Sequence, residues 1–295
     1  MSNKPTLRPK SRIGPALIAV AGEIIAEARK PLHDRSHPDA ERIHDFRKAL
    51  KRWRALVRLL ETPVGKPAKT ARGAARELAR KLARTRDAQS ALDALTDLER
   101  IDHALSARTL ASLHQRLHAM KRRRERSSLS PALLRRLRLR LNSAERAFAR
   151  WPLNDVGFKD IVDGLTETYR SARRAIPKAW RDAPPEELHE LRKRVVEHRY
   201  QMELVESLWP RFGKLWVEEA QRLRNRLGAY QDLAVFARLT APRQPLAPWR
   251  SRLAPLIAQR QQKHARAAAR LAGRLFAERA KAFHRRLNAL AASGK

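Results

Sequence analysis

Cysteine is absent from the 295 residues, which removes disulfides, thiolate zinc sites and cysteine nucleophiles and gives no support to secretion. Glycine supplies only 10 residues and tyrosine 3, and Ile and Val are sparse, while Ala, Leu and Arg dominate. Helix formers so outnumber strand formers that the expected class is all-α. No apolar segment approaches the roughly 20 residues needed to span a bilayer. The basic start, Lys4 to Arg12 before the apolar Ala16 to Ala21, superficially imitates a signal peptide, but Gly22 and Glu23 cut the run short. A cytosolic location is the expectation, with no membrane partner.

Negative charge is also scarce. The chain carries 30 Asp and Glu against 65 Lys and Arg, a formal net charge of +35, far more than solubility requires. A polyanionic partner is therefore the first functional expectation. The hydrophobic fraction of 43% is enough to fill a core, so the charge belongs to a folded protein rather than to a disordered basic tail.

An internal repeat is legible. Arg42-Ile43-His44-Asp45-Phe46-Arg47-Lys48 aligns with Glu187-Leu188-His189-Glu190-Leu191-Arg192-Lys193 at an offset of 145 residues. The same register, without a gap, pairs Leu78, Leu82 and Asp87 with Leu223, Leu227 and Asp232, and the stretch from Ile13 with that from Phe158. A constant offset over so long a span argues for duplication. The expected organisation is a basic tail over 1–12, a first helical repeat over 13–150, a connection over 151–156 and a second repeat over 157–292.

Helix signals fill both halves. In the first, Pro15 lies near a start, Pro31 marks a stop, and a long pattern from Asp39 to Glu61 ends at Thr62-Pro63. A third helix follows Pro67, a fourth begins near Asp87, and Ser130-Pro131 reads as an N-cap with proline at the first helical position. The second half repeats the scheme, with Pro184-Pro185 before its long helix and a proline-rich connection from Thr240 to Pro248. From Trp249 to Ala292 the chain is expected to be helical, as a hairpin or one long helix. Asp87 and Asp232 fall at equivalent places after the third helix, where an acidic residue caps the next helix or pairs with an arginine. Four or more antiparallel helices per half make a bundle.

The helix from Asp39 to Glu61 carries the functional signal. At 100° per residue Phe46, Ala49, Leu50, Trp53, Leu56, Val57 and Leu60 form one apolar arc, the expected core face. His44, Arg47, Lys51, Arg54 and Arg58 form the opposing arc, with Lys48 beside them, a cationic stripe roughly 20 Å long. No carboxylate on that face has the spacing to relieve the repulsion, whereas a merely solvated face would interleave Glu. The next helix adds Lys69, Arg72, Arg76, Arg80 and Arg84, so the two side by side would make a cationic groove. The second half is thinner: His189, Arg192, Lys193 and Arg199 persist, but Val196 replaces Lys51 and Glu203 replaces Arg58.

Other histidines read differently. His198 aligns with Trp53 on the apolar arc and is expected in the core. His114 and His118 have an i, i+4 spacing that could suit a metal, but without a nearby third ligand a solvated face is the better reading.

The run from His44 to Arg54, its repeat around His189 and Arg192, and the Arg86-Asp87 and Gln231-Asp232 pairs resemble the CHAD family, the conserved-histidine α-helical domain. The resemblance covers nearly the whole chain and implies one domain over 13–292. Its expected form is two tandem four-helix bundles related by pseudo-two-fold symmetry, with a basic central surface that binds inorganic polyphosphate. By the same resemblance His44, Arg47, Lys51, Arg52 and Arg54 fall on the family's phosphate-binding motif, and His189, Arg192 and Arg199 on its second copy. The chain departs from the family's pattern at Val196, Glu197 and Gln231, so the first half is expected to bind more strongly. The family often sits beside a triphosphate-hydrolysing tunnel domain, but no alternating Glu-x-Glu-x-Lys strand occurs in this sequence, which reads as a stand-alone copy.

Three function classes follow. The first is a polyphosphate-binding module that associates with polyphosphate granules, using the cationic residues above. The second is a nucleic-acid binder, which the charge permits; the stripe, however, carries no aromatic residue for stacking on bases. The third is an enzyme of polyphosphate metabolism. Phosphoryl transfer commonly uses carboxylate-held metal and a phosphate loop, yet Gly65-Lys66 is followed by Pro67 and no carboxylate pair lies in the stripe. No catalytic residue, metal or cofactor is expected.

Overall fold

A computed structural model describes residues 5–34, 36–82, 87–101, 105–125 and 129–293. Most of the described residues are helical, and none of them is in a strand. The helices are α1 (Ile13–His33), α2 (Asp39–Leu59), the short α3 (Glu61–Val64), α4 (Lys66–Lys81), α5 (Asp87–Leu98), α6 (Ala107–Glu125) and α7 (Pro131–Ala149). Then follow α8 (Phe158–Arg174), α9 (Pro185–Leu204), α10 (Pro210–Leu239), α11 (Arg250–Leu275) and α12 (Ala280–Ser293). No helix among the described residues is long and apolar enough to cross a membrane.

Local signals explain most boundaries. The Ser130 hydroxyl accepts the Leu133 N–H at 3.2 Å with Pro131 behind it, so α7 starts where a side-chain cap and a proline agree. Gly65, at φ 72°, makes the break before α4, a backbone that a side chain would strain. Thr62-Pro63, expected to stop the long helix, instead lie inside α3, and α2 already ends at Leu59. Nor does Pro31 stop α1, which continues to His33 with the proline buried inside it. The carbonyls at this end are taken by arginines: Arg42 Nε donates to the Pro31 oxygen at 2.8 Å, and Arg138 Nη2 to the Leu32 oxygen at 2.7 Å. Two cations on the negative end of a helix dipole offset the cost of the proline.

Asp232 does not begin a helix. It lies inside α10, a 30-residue helix about 45 Å long at 1.5 Å per residue. The helix persists because its buried face does: Trp216, Ala220, Leu223 and Leu227 enter one core, then Leu233 and Phe236 enter a second. The stretch from Trp249 resolves into α11 and α12, separated at residues 276–279, and α12 packs against α8.

The apolar core is shared between the halves. The larger cluster draws on α1, α2, α4 and α7 together with α8, α9, the first part of α10, the end of α11, and α12. It runs through the connection at 151–156, where Leu153 and Val156 are themselves buried in it. At the α2–α9 contact Gln201 Nε2 donates to the Ala55 oxygen at 2.9 Å. The smaller cluster joins α5 and α6 to the end of α10 and the start of α11. The predicted apolar arc of α2 is buried in full, with Phe46, Ala49, Leu56, Val57 and Leu60 at most 1% exposed and Leu50 and Trp53 at 7%.

Candidate functional site

The cationic stripe of α2 divides into two parts. His44, Arg47 and Lys51, towards the helix start, line a groove of about 740 Å³. Arg54 and Arg58 of the same arc, and Arg52, expected with them only from the family resemblance, are drawn into ion pairs with other segments. Arg52 bonds Glu23 at 3.3 Å and also reaches Glu27, both on α1. Arg54 lies 3.6 Å from Glu197 on α9, and burial between the helices pulls its pKa down while Glu197 opposes the shift. Arg58 pairs with Glu61 at 3.1 Å, and the same carboxylate takes Arg72 of α4. The stripe therefore has its carboxylates after all, supplied from α1, α3 and α9. Lys48 points elsewhere, lining a shallow depression with Lys30, Asp34 and His37.

The far wall of the groove comes from α9 and α10. Arg192, only 8% exposed, lies over Gly228 of α10, so closely that a Cβ there would come within 3.2 Å of its Nη2. A glycine there leaves the guanidinium room against the helix. Arg224 of α10, Arg100 beyond the end of α5 and Lys121 of α6 complete the cationic lining. Arg47 also donates from Nη1 to the Leu82 oxygen at 3.2 Å, which fixes it at the end of α4. His44 is exposed, and its pKa is lowered first by partial burial and then by Lys51; Asp45 pulls the other way, and Arg224 and Arg47 add smaller downward pulls. The imidazole thus reads a positive field from two helices.

The groove holds carboxylates too: Glu41, Asp93, Asp97 and Asp232. Asp97 is already engaged, accepting from Arg260 at 2.7 and 2.8 Å and pairing with His264 at 2.7 Å, which keeps its carboxyl well below the usual range despite burial. Asp93 accepts from Gln89 Nε2 at 2.8 Å. No group of three or more His, Asp or Glu side chains among the described residues could hold a metal ion.

Several expected residues lie away from the groove. Arg76 and Arg80 are exposed on α4 and do not line it, and Arg84 lies outside the described residues. His189 is exposed at the start of α9, Lys193 pairs with Glu190 at 2.5 Å, and Arg199 is tied to Glu203 and stacks on Tyr200 at 4.0 Å. Arg192 alone of the second-half set reaches the groove. Arg224 is not among the residues that the sequence singles out; its signal is the Arg222, Arg224, Arg226 alternation beside Gly228. His198 is wholly buried and accepts the Trp216 Nε1 proton at 2.9 Å. His114 pairs with Glu99 at 2.5 Å and stacks on His118.

The family model described as the CHAD domain matches residues 22–241. The fold is similar to that in the crystal structure of the CHAD domain from the plant Ricinus communis, with a TM-score of 0.67 and 21% identity, covering 95% of this chain and 96% of that one. No curated protein matches the sequence.

Proposed function

The chain belongs to the CHAD domain family, and from that premise we propose that it is a non-catalytic binder of inorganic polyphosphate, held in the groove between α2, α5, α9 and α10. One observation carries the reading: Arg47 and Arg192, which occupy the same place in the two halves, line one groove together with His44, Lys51 and Arg224. A chain of phosphates presents a charge at every unit. Guanidinium and ammonium groups on both walls can meet successive units by charge-assisted hydrogen bonds, and the counterions they displace add to the binding. Association with polyphosphate granules in the cytoplasm would follow.

We read the fold behind this groove as a duplication. Adding 145 carries α1 onto α8, α2 onto α9, α6 onto α11 and α7 onto α12 within a few residues, and α4 with α5 onto the single α10. The packing supports the same reading: α1 meets α2 and α7 as α8 meets α9 and α12, and α2 meets α9 where a pseudo-two-fold axis would pass.

Nucleic acid is the competing ligand. Against it stands the lining, which among the described residues includes no Phe, Tyr or Trp on which bases could stack. The test is a competition between long-chain polyphosphate, DNA and RNA across salt concentrations, with and without EDTA. Polyphosphate should displace both nucleic acids, and chelation should leave its affinity unchanged. Equal affinity for DNA or RNA, or binding restored only by a divalent ion, would overturn the reading.

A further inference from the structure

A cleft of about 440 Å³ lies between α4 and α7, remote from the cationic groove. Its floor is apolar, built from Ile24, Ile25, Phe46, Leu50, Trp53 and Trp151, and the α4 wall is shaved to Ala71, Ala74 and Ala75. At the rim stand Lys66, Lys81, Arg136 and Arg140 against the single carboxylate Glu77. Lys81 already pairs with Glu77 at 2.7 Å, and this bond, with Arg140 and Arg80 adding to it, lowers the Glu77 carboxyl. Arg136 and Arg140, one helical turn apart on α7, are exposed at the same end.

The second half accounts for the cleft. Trp216 stands 145 residues beyond Ala71, and Phe283 the same distance beyond Arg138. There the space is filled: Phe283 is fully buried and stacks on Tyr169 at 4.2 Å, with Trp216 at 5.8 Å from it. The first half has only Ala71 where the second has Trp216, above an apolar floor. The α1 and α2 side chains of the floor are almost wholly buried, so the cleft is a lined recess rather than an open patch, and clefts of roughly 300–1,000 Å³ with a few convergent polar groups are the usual form of ligand sites.

Size decides between occupants. One turn of a helix about 10 Å across and 5.4 Å high already fills about 420 Å³. The cleft would take no more than a single turn of a partner helix, whereas its apolar floor and small volume suit a hydrocarbon chain. We propose that it binds an amphipathic anion, the alkyl or acyl chain on the apolar floor and the carboxylate or phosphate head on Arg136 and Arg140. Guanidinium groups suit either head, since both present paired oxygens. The inference does not rest on the polyphosphate reading.

The test is titration calorimetry on the full chain with laurate and dodecyl phosphate below their micelle concentrations, beside dodecanol and dodecyltrimethylammonium. Both anions should bind saturably at one site, at least about tenfold tighter than the alcohol or the ammonium; the tighter of the two identifies the head. Ala71→Trp should abolish this binding without lowering the melting temperature, because it introduces the ring found in the second half. Arg136→Gln with Arg140→Gln, both on the surface, should bring the anions down to the alcohol's affinity. Absence of saturable binding, wild-type binding in Ala71→Trp, or unchanged anion affinity in the double variant would overturn the proposal. So would an acidic amphipathic peptide that binds where the amphiphiles do not.

Discussion

His198 and His44 differ in what surrounds them, and so in what pH does to them. His198 is walled in by Tyr169, Trp216, Phe276 and Phe283, and burial pushes its pKa down to about 3. In the unfolded chain the same imidazole takes up a proton below about pH 6.5. Between those values the unfolded state binds the extra proton, so this contribution to stability is complete above the unfolded pKa and is lost as pH falls. The slope for one proton is about 1.4 kcal/mol per pH unit. Denaturant unfolding at several pH values between about 7 and 5 should therefore give a steeper loss for the wild type than for His198→Phe, even though the variant, with Trp216 unpaired, starts less stable. Equal slopes would contradict the assignment. The core place of His198 was legible from its alignment with Trp53, because burial follows helical period. The pairing of Arg52 and Arg54 was not, because Glu23, Glu27 and Glu197 come from other helices that no spacing along α2 reveals.

At the level of elements, α8 crosses closely over the end of α2 at Gly164. A Cβ on Gly164 would collide with the Leu59 carbonyl, a backbone atom that cannot rotate away. Gly164→Ala should thus destabilise the protein by at least about 2 kcal/mol despite alanine's better helix propensity, read as a fall in denaturant midpoint. A variant as stable as wild type would mean the crossing is looser than described. Helix starts were legible where a cap or a proline acts locally, as at Ser130 and Pro185. Ends were less so. Pro31 and Thr62-Pro63 failed to stop helices because tertiary partners, Arg42 and Arg138 in the first case, supply what the local sequence lacks. The continuity of α10 through Asp232 likewise depends on two cores that only the fold brings into line.

For the whole molecule, charge and topology act together. A net charge of +35 would attract any polyanion, so affinity alone says little about a site. The 145-residue register was visible in the sequence, but the meeting of Arg47 with Arg192 across one groove was not, since it depends on how α2 and α9 pack. The central claim is that binding is localised there. It is tested most directly by measuring polyphosphate affinity at several salt concentrations for Arg47→Gln, Arg192→Gln and Arg224→Gln combined. The comparison is an equal loss of charge from the exposed face of α11, Lys263→Gln, Arg266→Gln and Arg270→Gln. With circular dichroism unchanged, the groove variant should lose about 1 kcal/mol per contact, near a hundredfold in all, and its salt slope should fall by two to three charges, on the order expected for counterion release. The α11 variant should stay close to wild type. Equal losses in the two variants would contradict the account, because net charge and not the groove would then hold the polyanion.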